Sequence, residues 1–153
     1  MAYFDRENFP LHYSLGHLIH LANQYKDGLL DKHLSSHDVT VAQFKVLLLL
    51  ARDGLDSPAA LCRPLALDSG AMTRMLDRLE SKGLIERTRN TEDRRQIRLS
   101  LTEQGRAFSL HGSRIAADAM NELIDPLEPG EVDELQRLLR KLLAPCLSGE
   151  TST

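Results

Sequence analysis

The stretch that decides the fold runs Gly83-Leu84-Ile85-Glu86-Arg87-Thr88-Arg89-Asn90-Thr91-Glu92-Asp93-Arg94-Arg95-Gln96-Ile97-Arg98-Leu99-Ser100-Leu101-Thr102. Just before it, Met72, Met75, Leu76 and Leu79 recur every three or four positions, the period of a helix. After Gly83 the period falls to two, so Leu84–Thr88 and Gln96–Leu101 read as strands, the second with Ile97, Leu99 and Leu101 on one face. The connection from Arg89 to Arg95 is polar and tipped with Arg94 and Arg95, as suits an exposed hairpin loop.

Working outward, Asp68 can cap the helix that Gly83 closes, and the polar side of that helix carries Ser69, Thr73, Arg74, Asp77 and Arg78. Upstream, Ser57 followed by Pro58 opens a short helix through Ala60, Leu61 and Leu65. Before that, Thr40 and Gln43 form a capping box in front of Phe44, Leu47, Leu48 and Ala51, a helix that ends near Gly54. Two short helices, a second one with a polar face, and then a hairpin make a winged helix-turn-helix, assigned to residues 36–101. A helix of this width can present Ser69, Thr73, Arg74 and Arg78 to the major groove of double-stranded DNA. Arg94 and Arg95 at the loop tip would reach the backbone or a narrow minor groove.

Long amphipathic segments flank this unit. From about Pro10 to Leu34, Leu11, Leu15, Leu18, Ala22, Tyr25 and Leu29 keep helical spacing until Ser35-Ser36-His37-Asp38 breaks it. Beyond the wing, Thr102 or Ser100 caps a long helix with Leu110, Ala117, Met120, Ile124 and Leu127 on one stripe, ended by Pro126 and Glu128-Pro129-Gly130. A last helix from about Glu131 carries Val132, Leu135, Leu138, Leu139, Leu142 and Leu143, and Pro145 is expected to stop it. The expected fold class is mainly α with a small β-hairpin wing. Residues 10–35 and 102–147 are expected to form a helical dimerisation region, and 148–153 a disordered tail. The apolar face of the last helix is wider than one neighbour needs, which points to a homodimer.

Composition agrees with a soluble domain: of 153 residues, 42% are apolar and 27% charged. The longest apolar run, Val46 to Ala51, is too short for a bilayer, and Met1-Ala2-Tyr3-Phe4-Asp5-Arg6-Glu7 lacks a signal-peptide pattern. Cys62 and Cys146 make no disulfide framework, so a cytoplasmic protein without a membrane partner is expected. Net charge is −3, yet residues 63–106 hold ten basic against seven acidic side chains, leaving nine and fifteen elsewhere. That local excess permits DNA binding. No nucleophile elbow or glycine-rich phosphate loop supports an enzyme. His17 with His20 and His33 with His37 have two-ligand spacing, but no cysteine or carboxylate cluster completes a site, so neither metal nor other cofactor is expected. A winged helix that serves protein contact alone is the alternative module.

Glu92-Asp93-Arg94-Arg95-Gln96-Ile97-Arg98-Leu99-Ser100-Leu101-Thr102 resembles the wing signature of the MarR family. Gly70 to Leu79, followed by Lys82 to Arg87, is similar to that family's recognition helix and first wing strand. Leu15 to His20 and Val41 to Leu47 resemble its founding, antibiotic-resistance branch. The resemblance implies a homodimer with interlocked first, fifth and sixth helices, a repressor that occupies a palindromic operator and is released by small aromatic compounds, phenols or salicylate-like acids. By the same resemblance Ser69, Gly70, Thr73 and Arg74 face the groove, Arg95 enters the minor groove, and Asp93 orients it. Thr73 and Arg87 would bind an aromatic carboxylate, with Pro58, Ala71, Met75 and Arg78 at neighbouring ligand positions. Oxidant-sensing relatives carry a cysteine in the first helix or just beyond the recognition helix, where this chain has none and has Ser81. A redox-responsive alternative would therefore use Cys62 or Cys146.

Overall fold

The computed structural model describes residues 3–4, 9–10, 12–89 and 96–147. Its elements run α1 (Leu15–Leu34), a 3-10 turn at Ser35–His37, α2 (Val41–Arg52), α3 (Pro58–Leu65), α4 (Ser69–Ser81), β1 (Ile85–Arg89), β2 (Ile97–Leu101), α5 (Glu103–Ile124) and α6 (Pro129–Leu147). The strands pair antiparallel with Ile85 opposite Leu101, Arg87 opposite Leu99 and Arg89 opposite Ile97. The fold is the mainly helical winged helix-turn-helix with a two-stranded wing that the alternation of period announced. The tail 148–153 and the loop residues Asp93, Arg94 and Arg95 lie outside the described residues.

Local chemistry sets the helix starts. Thr40 Oγ1 accepts from Gln43 N–H at 3.3 Å while Gln43 Oε1 accepts from Thr40 N–H at 3.2 Å, closing the capping box of α2. Ser57 caps α3, Asp68 caps α4 through a 2.7 Å bond from Ala71 N–H, and Thr102 caps α5. Of the two caps considered for α5, Ser100 is instead a strand residue whose hydroxyl donates to Glu86. Each such cap stabilises its helix by about 1 kcal/mol. Helix α1 begins at Leu15, five residues later than the apolar spacing suggests, because Ser14 accepts from His17 N–H and Tyr13 adopts a left-handed conformation, φ 59°.

The core joins Leu29, Leu30 and Leu34 of α1, Phe44 and Leu47 of α2, Leu61 of α3, Met72, Leu76 and Leu79 of α4, Leu99 and Leu101 of β2, and Ile115 and Ala119 of α5. Burying one such large side chain contributes about 1.5–3 kcal/mol. Ile97, read on one face with Leu99 and Leu101, is 44% exposed because it pairs with Arg89 at the loop end of the hairpin, away from the core.

Helix α5 turns inward a face that coincides only in part with the stripe read from spacing: Met120 packs against the core, but Leu110 and Ala117 do not. Its buried residues are Gly105, Ser109, Gly112, Ile115 and Ala119, whereas Leu110 is 77% exposed and Ala117 is exposed. The small residues let the helix come close. A Cβ on Gly105 would stand 1.9 Å from the Leu84 carbonyl oxygen, and one on Gly112 would stand 2.4 Å from Phe44 Cε2. Helix α6 starts at Pro129, earlier than Glu131, since proline suits a first helical position. It also runs through Pro145 to Leu147: so near the end, the lost N–H disrupts only the last turn.

Two apolar faces remain uncovered within the protomer. Leu15, Leu18, Ile19, Leu21 and Tyr25 of α1 are exposed, as are Leu135, Leu138, Leu139, Leu142 and Leu143 of α6. Among the described residues no single helix is long and apolar enough to cross a membrane.

Candidate nucleic-acid interface

Successive residues of a helix are about 100° apart, so burying Met72, Leu76 and Leu79 dictates what α4 shows outside. The exposed arc has two flanks. One carries Gly70, Arg74 and Arg78, and neither arginine has an ion pair among the described residues. The other carries Ser69, Thr73, Asp77 and Glu80, all exposed. Thr73 Oγ1 donates to the Ser69 carbonyl at 2.8 Å, which leaves the hydroxyl oxygen as an acceptor. The backbone N–H groups of Ser69 and Gly70 open the helix at its positive end, a geometry suited to a phosphate.

The acidic flank is covered from the wing. Arg87 of β1 lays Nη1 2.6 Å from Asp77 Oδ1 and 3.6 Å from Glu80 Oε2, and its Nη2 donates to the Thr73 carbonyl at 3.3 Å. The Arg87 side chain is 22% exposed, against 55% and 44% for its two carboxylate partners. The structure thus brings together Thr73 and Arg87, the pair expected at an aromatic carboxylate. It also shows that the guanidinium is already engaged by carboxylates of its own chain. Asp77 and Glu80 as Arg87 partners were missed in the sequence, where nothing signals a cross-element ion pair.

Other contacts hold helix and wing in place. Lys82 Nζ donates to the Asp38 carbonyl and, at 3.1 Å, to Gln43 Oε1, tying the end of α4 to the start of α2. Thr102 Oγ1 donates to the Gly83 carbonyl at 2.6 Å. Asp56, in the α2–α3 connection, holds β2 twice: its carbonyl accepts from Leu99 N–H and its carboxylate accepts from Arg98 Nε, both at 2.6 Å. The Arg98 hydrogen bond pulls the Asp56 carboxyl below its usual range.

Of the other expected ligand positions, Pro58, Ala71 and Met75 are half-buried where α3 and α4 pack, and Arg78 is exposed. A cleft of about 460 Å³ between α2 and α5, lined by Leu48, Arg52, Leu101, Arg106, Leu110 and Ser113 among others, shares no residue with that set. His33 Nε2 lies 2.8 Å from Glu122 Oε2, and His37 meets His111 and Phe108 edge-on. Among the described residues no group of three or more histidine, cysteine or acidic side chains converges. Cys62, half-buried, donates to the Pro58 carbonyl at 3.3 Å, and Cys146 is exposed in the last turn of α6.

Residues 39–97, from the start of α2 to the wing, match the model of the MarR family. The chain is 43% identical to the multiple antibiotic resistance protein MarR of Escherichia coli over 130 residues, 84% of this chain and 90% of that one. The chain belongs to the MarR family. This MarR-family chain is a DNA-binding transcriptional regulator of winged-helix architecture. A crystal structure of a cysteine-to-serine mutant of E. coli MarR complexed with operator DNA matches it with a TM-score of 0.73 and 44% identity, covering 84% of this chain and 93% of that one. BpsR of Bordetella bronchiseptica, whose DNA binding is regulated by 6-hydroxynicotinic acid, matches with a TM-score of 0.73 and 26% identity, over 88% of this chain and 96% of that one.

Proposed function

We propose that the protein is a homodimeric transcriptional repressor that occupies a palindromic operator and is released by small aromatic acids. The observation that carries the DNA half is the outer surface of α4: a cationic flank, Arg74 and Arg78, with no ion pair among the described residues, beside Gly70 and a helix N-terminus. Ser69, Gly70, Thr73, Arg74 and Arg78 enter the major groove in this reading. Arg95, set by Asp93 and accompanied by Arg94, follows the minor groove. The relative solved on operator DNA supports it. The dimer covers the apolar faces of α1 and α6, and its two-fold axis matches the two halves of a palindrome.

The ligand half rests on the aromatic acid that regulates BpsR and on the chemistry around Arg87. An aromatic carboxylate takes Arg87 and Thr73 beside Pro58, with Ala71, Met75 and Arg78 at neighbouring positions and Met75 as an adaptable wall. Because Asp77 and Glu80 hold Arg87, the ligand carboxylate enters by exchange with them and not by filling an empty receptor. Such a ligand releases the operator only through tighter binding to the DNA-incompetent state.

The test is a mobility-shift assay on the DNA beside the protein's own gene, with salicylate as the aromatic acid. Sequence-specific retardation, reversed by millimolar salicylate, is expected. Binding no tighter than to a scrambled duplex overturns the DNA reading, and specific binding indifferent to salicylate and to 6-hydroxynicotinic acid overturns the ligand reading alone.

A further inference from the structure

The DNA-facing arc of α4 carries a charge conflict. Its Arg74 and Arg78 attract phosphates, while Asp77 and Glu80, exposed on the adjoining flank, repel them. A bare carboxylate within a Debye length of about 8–10 Å of a duplex weakens binding. Arg87 sits on the side of those carboxylates, 2.6 Å from one and 3.6 Å from the other, and also holds the Thr73 carbonyl one turn before Asp77. Three contacts along one stripe of α4 come from a single strand residue. Its cross-strand neighbour is the core residue Leu99.

We infer that Arg87 is a positioning residue for operator binding: from the wing strand it draws Asp77 and Glu80 to one side of the recognition helix and cancels their charge, so that the helix meets DNA with its cationic flank dominant. This rests on the DNA reading above and adds a role for three residues that do not touch the duplex. Arg87 acts through the carboxylates, so removing them makes it dispensable.

Fluorescence anisotropy on the own-gene duplex separates the cases, using the unaltered protein, Arg87→Gln, Asp77→Asn with Glu80→Gln, and all three substitutions together. Arg87→Gln is expected to weaken operator binding about tenfold, through two freed charges near the phosphates. The double variant binds at least as tightly as the unaltered protein, and the triple variant recovers to within about threefold of the double. The triple variant also keeps the salt slope of the unaltered protein, whereas losing a direct phosphate contact would lower that slope by about one. Circular dichroism and sedimentation monitor folding and assembly of each variant. Undiminished binding by Arg87→Gln, a triple variant as weak as Arg87→Gln, or a double variant weaker than the unaltered protein each overturns the inference. Should Arg87→Gln not fold, the double variant still decides by that last criterion. Absence of specific binding by the unaltered protein overturns the DNA reading itself, and the role of Arg87 with it.

Discussion

Gly112 of α5 abuts the edge of the Phe44 ring of α2, so close that a Cβ at position 112 would stand 2.4 Å from Cε2 and within 3.3 Å of two more ring carbons. Phe44 is 2% exposed and part of the buried core. The contact fixes how near the long helix approaches the DNA-binding unit. Gly112→Ala is expected to destabilise the fold by about 1–3 kcal/mol, the cost of overpacking a dense core. Chemical denaturation of the variant beside the unaltered protein measures it, and equal midpoints would contradict the packing.

The uncovered leucines of α6 set the next expectation. Sedimentation at micromolar concentration should return about twice the 17.2 kDa chain mass. Leu138→Glu together with Leu142→Glu, both on surface that is open in the protomer, should return a single chain mass with helical content retained. A double variant that stays dimeric would mean that α6 is not the interface.

Arg95→Ala tests the wing. Its operator affinity should fall by about 1–3 kcal/mol and its salt slope should become shallower, with thermal stability and assembly unchanged. An affinity equal to that of the unaltered protein would remove the wing from the interface.

The pH dependence follows from Glu122, which links α5 to α1. Hydrogen bonds from Lys32 at 2.6 Å and from His33 at 2.8 Å lower its pKa from the ordinary 4.5. A carboxyl whose folded pKa lies below its unfolded one binds fewer protons when folded, so its stabilising effect is present above 4.5 and lost as pH falls through the lowered value. Asp27 behaves alike: burial pushes its pKa up, but Lys45 and Lys26 prevail and hold it down. Stability measured by urea titration should therefore decline below pH 4.5 less steeply in Glu122→Gln than in the unaltered protein. Identical slopes would contradict the link.

Capping gives a local check on the recognition helix. Asp68→Ala removes the acceptor of Ala71 N–H and should lower stability by about 1 kcal/mol, measured by thermal denaturation. Asp68→Ser should largely restore it.

Much of this architecture was legible in the chain because its signals are short-range. A cap is closed by a residue three positions on, as Thr40 with Gln43 and Asp68 with Ala71, and the change of period at Gly83 marks the wing without any partner. The polar arc of α4 was likewise readable, since the apolar stripe Met72, Leu76, Leu79 implies its opposite.

Tertiary structure decided what depends on distance between elements. Periodicity put Leu110, Ala117 and Met120 of α5 on one stripe, yet only Met120 of these packs against the core and the buried stripe is Gly105, Ser109, Gly112, Ile115 and Ala119, because the approach of α5 to Leu84 and Phe44 leaves no room for a larger side chain at either glycine. Arg87 read as a free cation for a ligand. Its pairing with Asp77 and Glu80 follows only from β1 lying beside α4, a juxtaposition created by burial of Ile85, Leu79 and Leu99 and invisible in the spacing of the charged residues. Hydrogen bonds within one turn are written in the sequence, whereas the choice of buried face and of ion-pair partner is made by packing.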